Sequence, residues 1–199
     1  MGADVSFKDM KNMKTTVLTP PDGEPVSLSA VKDYLRIGHE GEDALVASLI
    51  GSARARLEAE LGVALITRTL QLELDRWPVA LTRRGLRLEP GPVRDLLGVE
   101  SVTENGAREV ITSRFVMSGG RLGLRPWSFL PAIEAGGHIE VRFETGYGAA
   151  DTLPDDLVLA VKMLAAQGYH LRDGGRDSDE DALPGEIDEL LAPYRGVRL

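Results

Sequence analysis

The sequence predicts an α+β fold, mainly α, with a small antiparallel β subdomain inserted between helices and a C-terminal extension. Three observations predict it. Apolar residues recur at helical spacing in the stretches 27–37, 42–62 and 153–172. Between about 66 and 146 the period drops to two, in short runs broken by glycine and proline. Residues 173–199 turn acidic and then apolar again. The chain therefore divides into an N-terminal extension over 1–22, a main domain over 23–172 and a C-terminal segment over 173–199.

Each element has a local cause. Thr15 to Leu18 reads as a short edge strand, closed by the turn cluster Pro20-Pro21-Asp22-Gly23. Ser27 is a suitable N-cap for a first helix whose apolar positions are Leu28, Val31, Tyr34 and Leu35, with Gly38 expected to end it. A longer helix starts near Glu42. Leu45, Val46, Leu49, Ile50, Ala53, Leu57 and Leu61 form its apolar stripe, Glu42 and Asp43 suit the positive end of its dipole, and Gly62 closes it. Leu70, Leu72 and Leu74 then alternate with polar residues, as do Leu86 and Leu88. Val99 to Val102 runs through the hairpin signal Asn105-Gly106 toward Val110-Ile111. Phe115 and Met117, then Gly119-Gly120, then Leu122 and Leu124 give a second hairpin. Ile139, Val141 and Phe143 alternate once more up to Gly146-Tyr147-Gly148. Pro154, Asp155 and Asp156 open a third long helix on the apolar face Leu157, Val161, Leu164, Ala165 and Leu171. A short last helix follows near 184–191, with Ile187, Leu190 and Leu191 on one side.

Composition narrows the functional classes. Hydrophobic residues make up 43% of 199, enough for a sizeable core, but aromatics are only 5%, so the core is aliphatic. A net charge of -8 argues against a protein that wraps DNA by neutralising phosphates. The absence of cysteine removes disulfide frameworks and thiolate metal sites. No apolar run reaches the roughly 18 residues of a membrane span.

Chemistry is sparse. His39, His138 and His170 fall in a loop, at a strand start and near a helix end, with no carboxylate at ligand spacing, and read as solvated or partly packed side chains. The run Asp177-Ser178-Asp179-Glu180-Asp181 lacks the central glycine and terminal glutamate of a calcium loop and reads as a solvated linker. The pairs Gly119-Gly120 and Gly136-Gly137 have no Lys-Ser or Lys-Thr after them, so they are turns rather than phosphate loops. Trp77 and Trp127, each beside a proline, read as core anchors or interface aromatics. The expectation is a protein that is not an enzyme, with no cofactor and no metal. An enzyme would need a pocket of convergent polar groups, which the sparse histidines disfavour.

The ending Leu190-Leu191-Ala192-Pro193-Tyr194-Arg195-Gly196-Val197-Arg198-Leu199 stands apart from the acidic stretch before it. Proline stops the helix, and apolar side chains alternate with arginines. Such a tail either folds back on its own domain or docks into another protein.

Several stretches together resemble phage head–tail connector (adaptor) proteins. They are Pro25 to Ile37 (PVSLSAVKDYLRI), Glu42 to Val46 opening a long helix, Ala64 to Leu70 (ALITRTL), and Phe143 to Gly148 (FETGYG) followed by Leu153-Pro154 and another long helix. The resemblance covers about Pro25 to Arg172, and the Leu190 to Leu199 ending is similar to that of connectors from gene transfer agents. It implies a helical bundle with a small β insertion, assembled as a homo-oligomeric ring, commonly dodecameric, in the neck of a phage or phage-like particle built in the bacterial cytoplasm. Its partners would be the capsid portal protein, a tail-side neck or stopper protein, and DNA that passes through the channel without specific binding; no membrane is involved. Leu190, Leu191, Pro193, Tyr194, Arg195, Val197, Arg198 and Leu199 would meet the portal. Two alternatives remain open, a head- or tail-completion protein of the same particle and a small acidic, non-enzymatic binding module.

Overall fold

The alternating leucines of the middle segment bury one face of a five-stranded antiparallel sheet. The computed structural model describes residues 13–171 and 183–195, and these divide into a β unit and a helical unit. Among the described residues of the β unit are β1 (Met13–Thr19), β2 (Arg68–Leu74), β3 (Leu86–Arg87), β4 (Val93–Val102), β5 (Arg108–Val110), β6 (Phe115–Ser118), β7 (Arg121–Leu124) and β8 (His138–Thr145), with one short helix, α3 (Val79–Arg83). The larger sheet has the order β1-β2-β8-β4-β5 and the smaller the order β3-β7-β6. The expected edge strand is β1, paired with β2 and starting at Met13 opposite Leu74.

Register explains the core of this unit. Leu70 lies opposite Phe143, Leu72 opposite Val141 and Leu74 opposite Ile139. On the other flank of β8, Val99 lies opposite Val141. All these side chains point to one face and are buried, joined by Leu81, Leu86, Phe115 and Leu122 from α3 and the small sheet. Trp77 stacks on Phe115 with ring centroids 5.5 Å apart. The β6–β7 hairpin turns through Gly119 and Gly120 at φ 55 and 71, a conformation in which a Cβ is costly.

The opposite face of the large sheet is charged. Glu100 and Glu140 are direct cross-strand partners, and like charges so placed repel. Arg108 bridges them, donating from Nη1 to Glu100 Oε2 at 2.9 Å and to Glu140 Oε2 at 2.6 Å. Arg142 donates to the other oxygen of Glu100, and His138 Nε2 lies 3.4 Å from Glu140 Oε1. The Arg108 hydrogen bond holds the Glu140 carboxyl below its usual range, against the opposing effect of burial.

The helical unit contains α1 (Leu28–Leu35), α2 (Asp43–Leu61), α4 (Asp155–Leu171) and α5 (Gly185–Leu191). Ser27 caps α1 as expected, its Oγ accepting from the Ala30 N–H at 3.2 Å. The helix ends earlier than Gly38. Arg36 takes a left-handed conformation at φ 60, and Ile37 N–H reaches back to the Lys32 carbonyl at 2.9 Å. Ile37 packs against the core, the apolar contact that often accompanies such a helix end. In α2, Val46, Ile50, Ala53, Leu57 and Leu61 are buried, and Gly62 closes the helix at φ 65. Leu157, Ala160, Val161, Leu164, Ala165 and Ala166 form the buried face of α4. Tyr169 donates to Glu42 Oε2 at 2.6 Å, tying the end of α4 to the start of α2. No described helix is long and apolar enough to cross a membrane.

The expectation of a mainly α bundle with a small β insertion is overturned. Of the described residues, 38% are helical and 28% lie in strands, in two antiparallel sheets, and the fold is a mixed α+β one. The physical reason is that the β block has a core of its own. Its short alternating runs bury residues such as Phe115, Phe143 and Ile139 almost completely, so it is not an ornament on helices.

The Arg108 bridge yields a test. A carboxyl whose folded pKa is lowered stabilises the fold above its unfolded value, about 4.3, and that contribution is lost as pH falls through the folded value. Arg108→Ala is therefore expected to lower the thermal midpoint at neutral pH, with the deficit against wild type shrinking as pH drops below about 4. A deficit constant across pH would mean that Arg108 acts through packing alone.

Candidate docking site at the C-terminal helix

The C-terminal segment is built from α5 outward. Pro184 precedes the helix, and its carbonyl accepts from the Ile187 and Asp188 N–H groups at 2.9 Å each. Over so short a helix, intrinsic helical stability is small and tertiary burial decides. Ile187 and Leu191 supply it, being 1% and 0% exposed within the core of the helical unit. Leu183 and Leu190 pack against the same core from its edge. Pro193 has no N–H to continue the ladder, and Ala192–Tyr194 tighten into a 3-10 turn.

Tyr194 meets Tyr147 edge to face, with centroids 6.3 Å apart, and its hydroxyl donates to Asp156 Oδ2 at 3.4 Å. Partial burial and the neighbouring Asp156 carboxylate both raise the Tyr194 pKa, and burial raises that of Tyr147. Both phenols therefore stay protonated near neutrality. Arg195 donates from Nη2 to Glu60 Oε1 at 2.8 Å and also pairs with Asp188. These partners are solvated, so such pairs contribute little.

The eight tail residues singled out from the sequence thus part company. Leu190, Leu191, Pro193, Tyr194 and Arg195 are brought together on the helical unit itself. Leu191 is wholly enclosed in its core, and Arg195 finds its carboxylates within its own chain. Val197, Arg198 and Leu199 lie outside the described residues, as does the Asp177 to Asp181 run. Sequence reasoning missed Glu60, Tyr147 and Asp156, the side chains that receive the tail, because nothing in the order of residues links positions so far apart.

Other candidate chemistry stays dispersed. His39 Nε2 lies 3.9 Å from Glu42, so two of the three histidines do have a carboxylate neighbour, contrary to the spacing argument. His170 packs against Tyr169 instead. No group of three or more potential ligands among the described residues is placed to hold a metal ion.

No protein-family model and no curated protein matches the chain. Solved structures do. A chain in the virion of a native gene transfer agent particle superposes with a TM-score of 0.78 at 28% identity, covering 93% of this chain and 96% of that one. A chain in the neck of an empty gene transfer agent particle, computed with C6 symmetry, gives 0.75 at 30% identity, covering 94% and 97%. One in the neck of the native particle, computed with C12 symmetry, gives 0.75 at 28%, with the same coverage. Over almost its whole length, the fold is that of a structural component of a particle neck. The chain belongs to the head–tail connector (adaptor) family and is similar to chains of gene transfer agent particles.

The anchor makes a prediction. Leu191→Ala is expected to destabilise the fold by about 2–5 kcal/mol, as for a buried leucine truncated in a packed core. Arg195→Ala should cost no more than about 1 kcal/mol. Urea unfolding of both variants measures the contrast, and equal losses would contradict the assignment of the anchor to Leu191.

Proposed function

We propose that this protein is a head–tail adaptor. Copies of it form a ring, dodecameric in this reading, between the capsid portal protein and a tail-side neck or stopper protein. The ring surrounds part of the channel through which DNA leaves the particle. The observation that carries the reading is the likeness, at 28–30% identity over 93–94% of the chain, to chains of gene transfer agent particles, two of them from necks treated with C6 and C12 symmetry. Its place is the neck of a phage-like particle assembled in the bacterial cytoplasm.

In this reading the protein works by matching surfaces. It is not an enzyme and takes no cofactor. DNA passes without specific binding, and the net charge of -8 favours release over retention. At the portal end, α5 and the turn after it fix a starting point from which Val197, Arg198 and Leu199 reach the portal, while Leu190, Leu191, Pro193, Tyr194 and Arg195 support them. Burying Val197 and Leu199 would contribute about 1.5–3 kcal/mol each. That is too little for one tail against the cost of association. Repeated tails on one ring raise the effective concentration and make the attachment persistent.

Cosedimentation with a portal ring tests the reading. The full chain is expected to bind, and variants ending at Arg195 or at Ala192 to lose binding. Undiminished binding by the variant ending at Arg195 would remove Val197, Arg198 and Leu199 from the contact. No binding by the full chain would sink the adaptor role.

A further inference from the structure

The loop between β7 and β8 holds two large aromatic side chains in water. Trp127 is 97% exposed and Phe129 81%. The loop is fastened on both sides of them. Arg125 N–H donates to the Arg114 carbonyl at 2.9 Å, and Arg125 Nε to the Phe115 carbonyl at 2.8 Å. Arg114 Nη1 reaches the Phe129 carbonyl at 3.4 Å. Further along, Trp77 Nε1 donates to the Pro131 carbonyl at 2.7 Å, and Leu130 and Ile133 pack on the core of the β unit. The exposed pair is thus presented on an ordered base.

The backbone adds a second observation. Ser128 N–H closes a turn onto the Arg125 carbonyl at 3.1 Å, across Pro126 and Trp127. Trp127 has φ 64. Proline followed by a residue of positive φ is the pattern of a type II turn, whose third position calls for glycine. A bulky residue in the left-handed region is an outlier, and such strain gathers at binding surfaces. Glycine would serve the turn better, so the indole has a use outside it.

Charge indicates what the loop meets. Arg114 and Arg125 stand at its base. Leu124, just before the loop, also lines a hollow of about 330 Å³ with Leu81, Arg83, Arg84, Val116 and Arg121. The described residues of the β unit carry twelve basic and ten acidic side chains, whereas those of the helical unit carry six basic and fourteen acidic. Exposed tryptophan beside arginine is the composition of an interface hot spot, and its complement is acidic. The helical unit offers that complement, with Asp155, Asp156, Glu186 and Glu189 all exposed. A ring closes through two different patches on each subunit, and here the two patches differ in sign. The β unit is too nearly neutral to follow a phosphate backbone by charge alone.

We infer that the Trp127–Phe129 loop is a ring contact, by which the β unit of one copy docks on the acidic helical unit of the next. The inference rests on the ring proposed above and assigns one of its surfaces. Two measurements test it. The first is photocrosslinking in assembled particles that carry Phe129→p-benzoylphenylalanine. Multimers of the chain joined through α4 or α5 of a neighbouring copy are expected. Crosslinks to another particle protein, to packaged DNA or only within one chain would overturn the contact, as would none in particles that contain the protein. A chain absent from purified particles would sink the neck reading itself, and the inference with it. The second is Trp127→Gly, which keeps the turn and deletes the indole. Its thermal midpoint is expected to equal or exceed that of wild type, while incorporation into necks or self-association falls about tenfold or more. Normal incorporation of this variant would overturn the proposal.

Discussion

The β unit depends on the position of β8 between β2 and β4. Ile139, Val141 and Phe143 are fully enclosed, and each has a partner on both flanks. Residues of three distant segments are thereby locked in one register. A slip by one residue would turn the whole apolar set into water and bring Glu140 and Arg142 inward. The same register places Glu100 opposite Glu140, which creates the need for Arg108 and Arg142. The charged face is thus a consequence of the buried one.

The helical unit reaches its stability differently. Its long helices α2 and α4 carry broad apolar faces, and α5 joins them through Ile187 and Leu191. A seven-residue helix without a side-chain cap does not stand alone. The burial of Leu191 therefore determines where the end of the chain emerges. Tyr194 and Arg195 refine that placement through Tyr147, Asp156 and Glu60, at energies small enough for the contacts to exchange.

Charge is segregated between the two units, with the acidic excess on the helical one. For a neck component this separation serves two ends in the reading proposed here. Acidic surface lowers affinity for passing DNA, and a difference in sign between units lets identical copies attract one another head to tail. The aromatic side chains are allotted in the same spirit. Trp77 packs partly buried against Phe115, while Trp127 is held outside, so two tryptophans that each sit beside a proline do opposite work.

Most of the local structure is legible in the amino-acid sequence. Ser27 and Gly62 marked helix ends, the periodic leucines marked α2, α4 and β2, and Gly119-Gly120 marked a hairpin, because capping, periodicity and turn geometry act over a few residues. It did not determine the balance of the fold. Short strands look minor one at a time, and only their pairing showed that they make a second core. Nor did it choose between a tail that folds back and one that docks. Leu190 to Arg195 pack on the helical unit chiefly through the burial of Leu191, and Tyr147, Asp156 and Glu60, which receive Tyr194 and Arg195, lie far away in the chain. The end of helix α1 at Arg36 and the opposite uses of the two tryptophans were decided in the same way. Local order is written in neighbouring residues, whereas burial and charge pairing are properties of surfaces that exist only after the chain has folded.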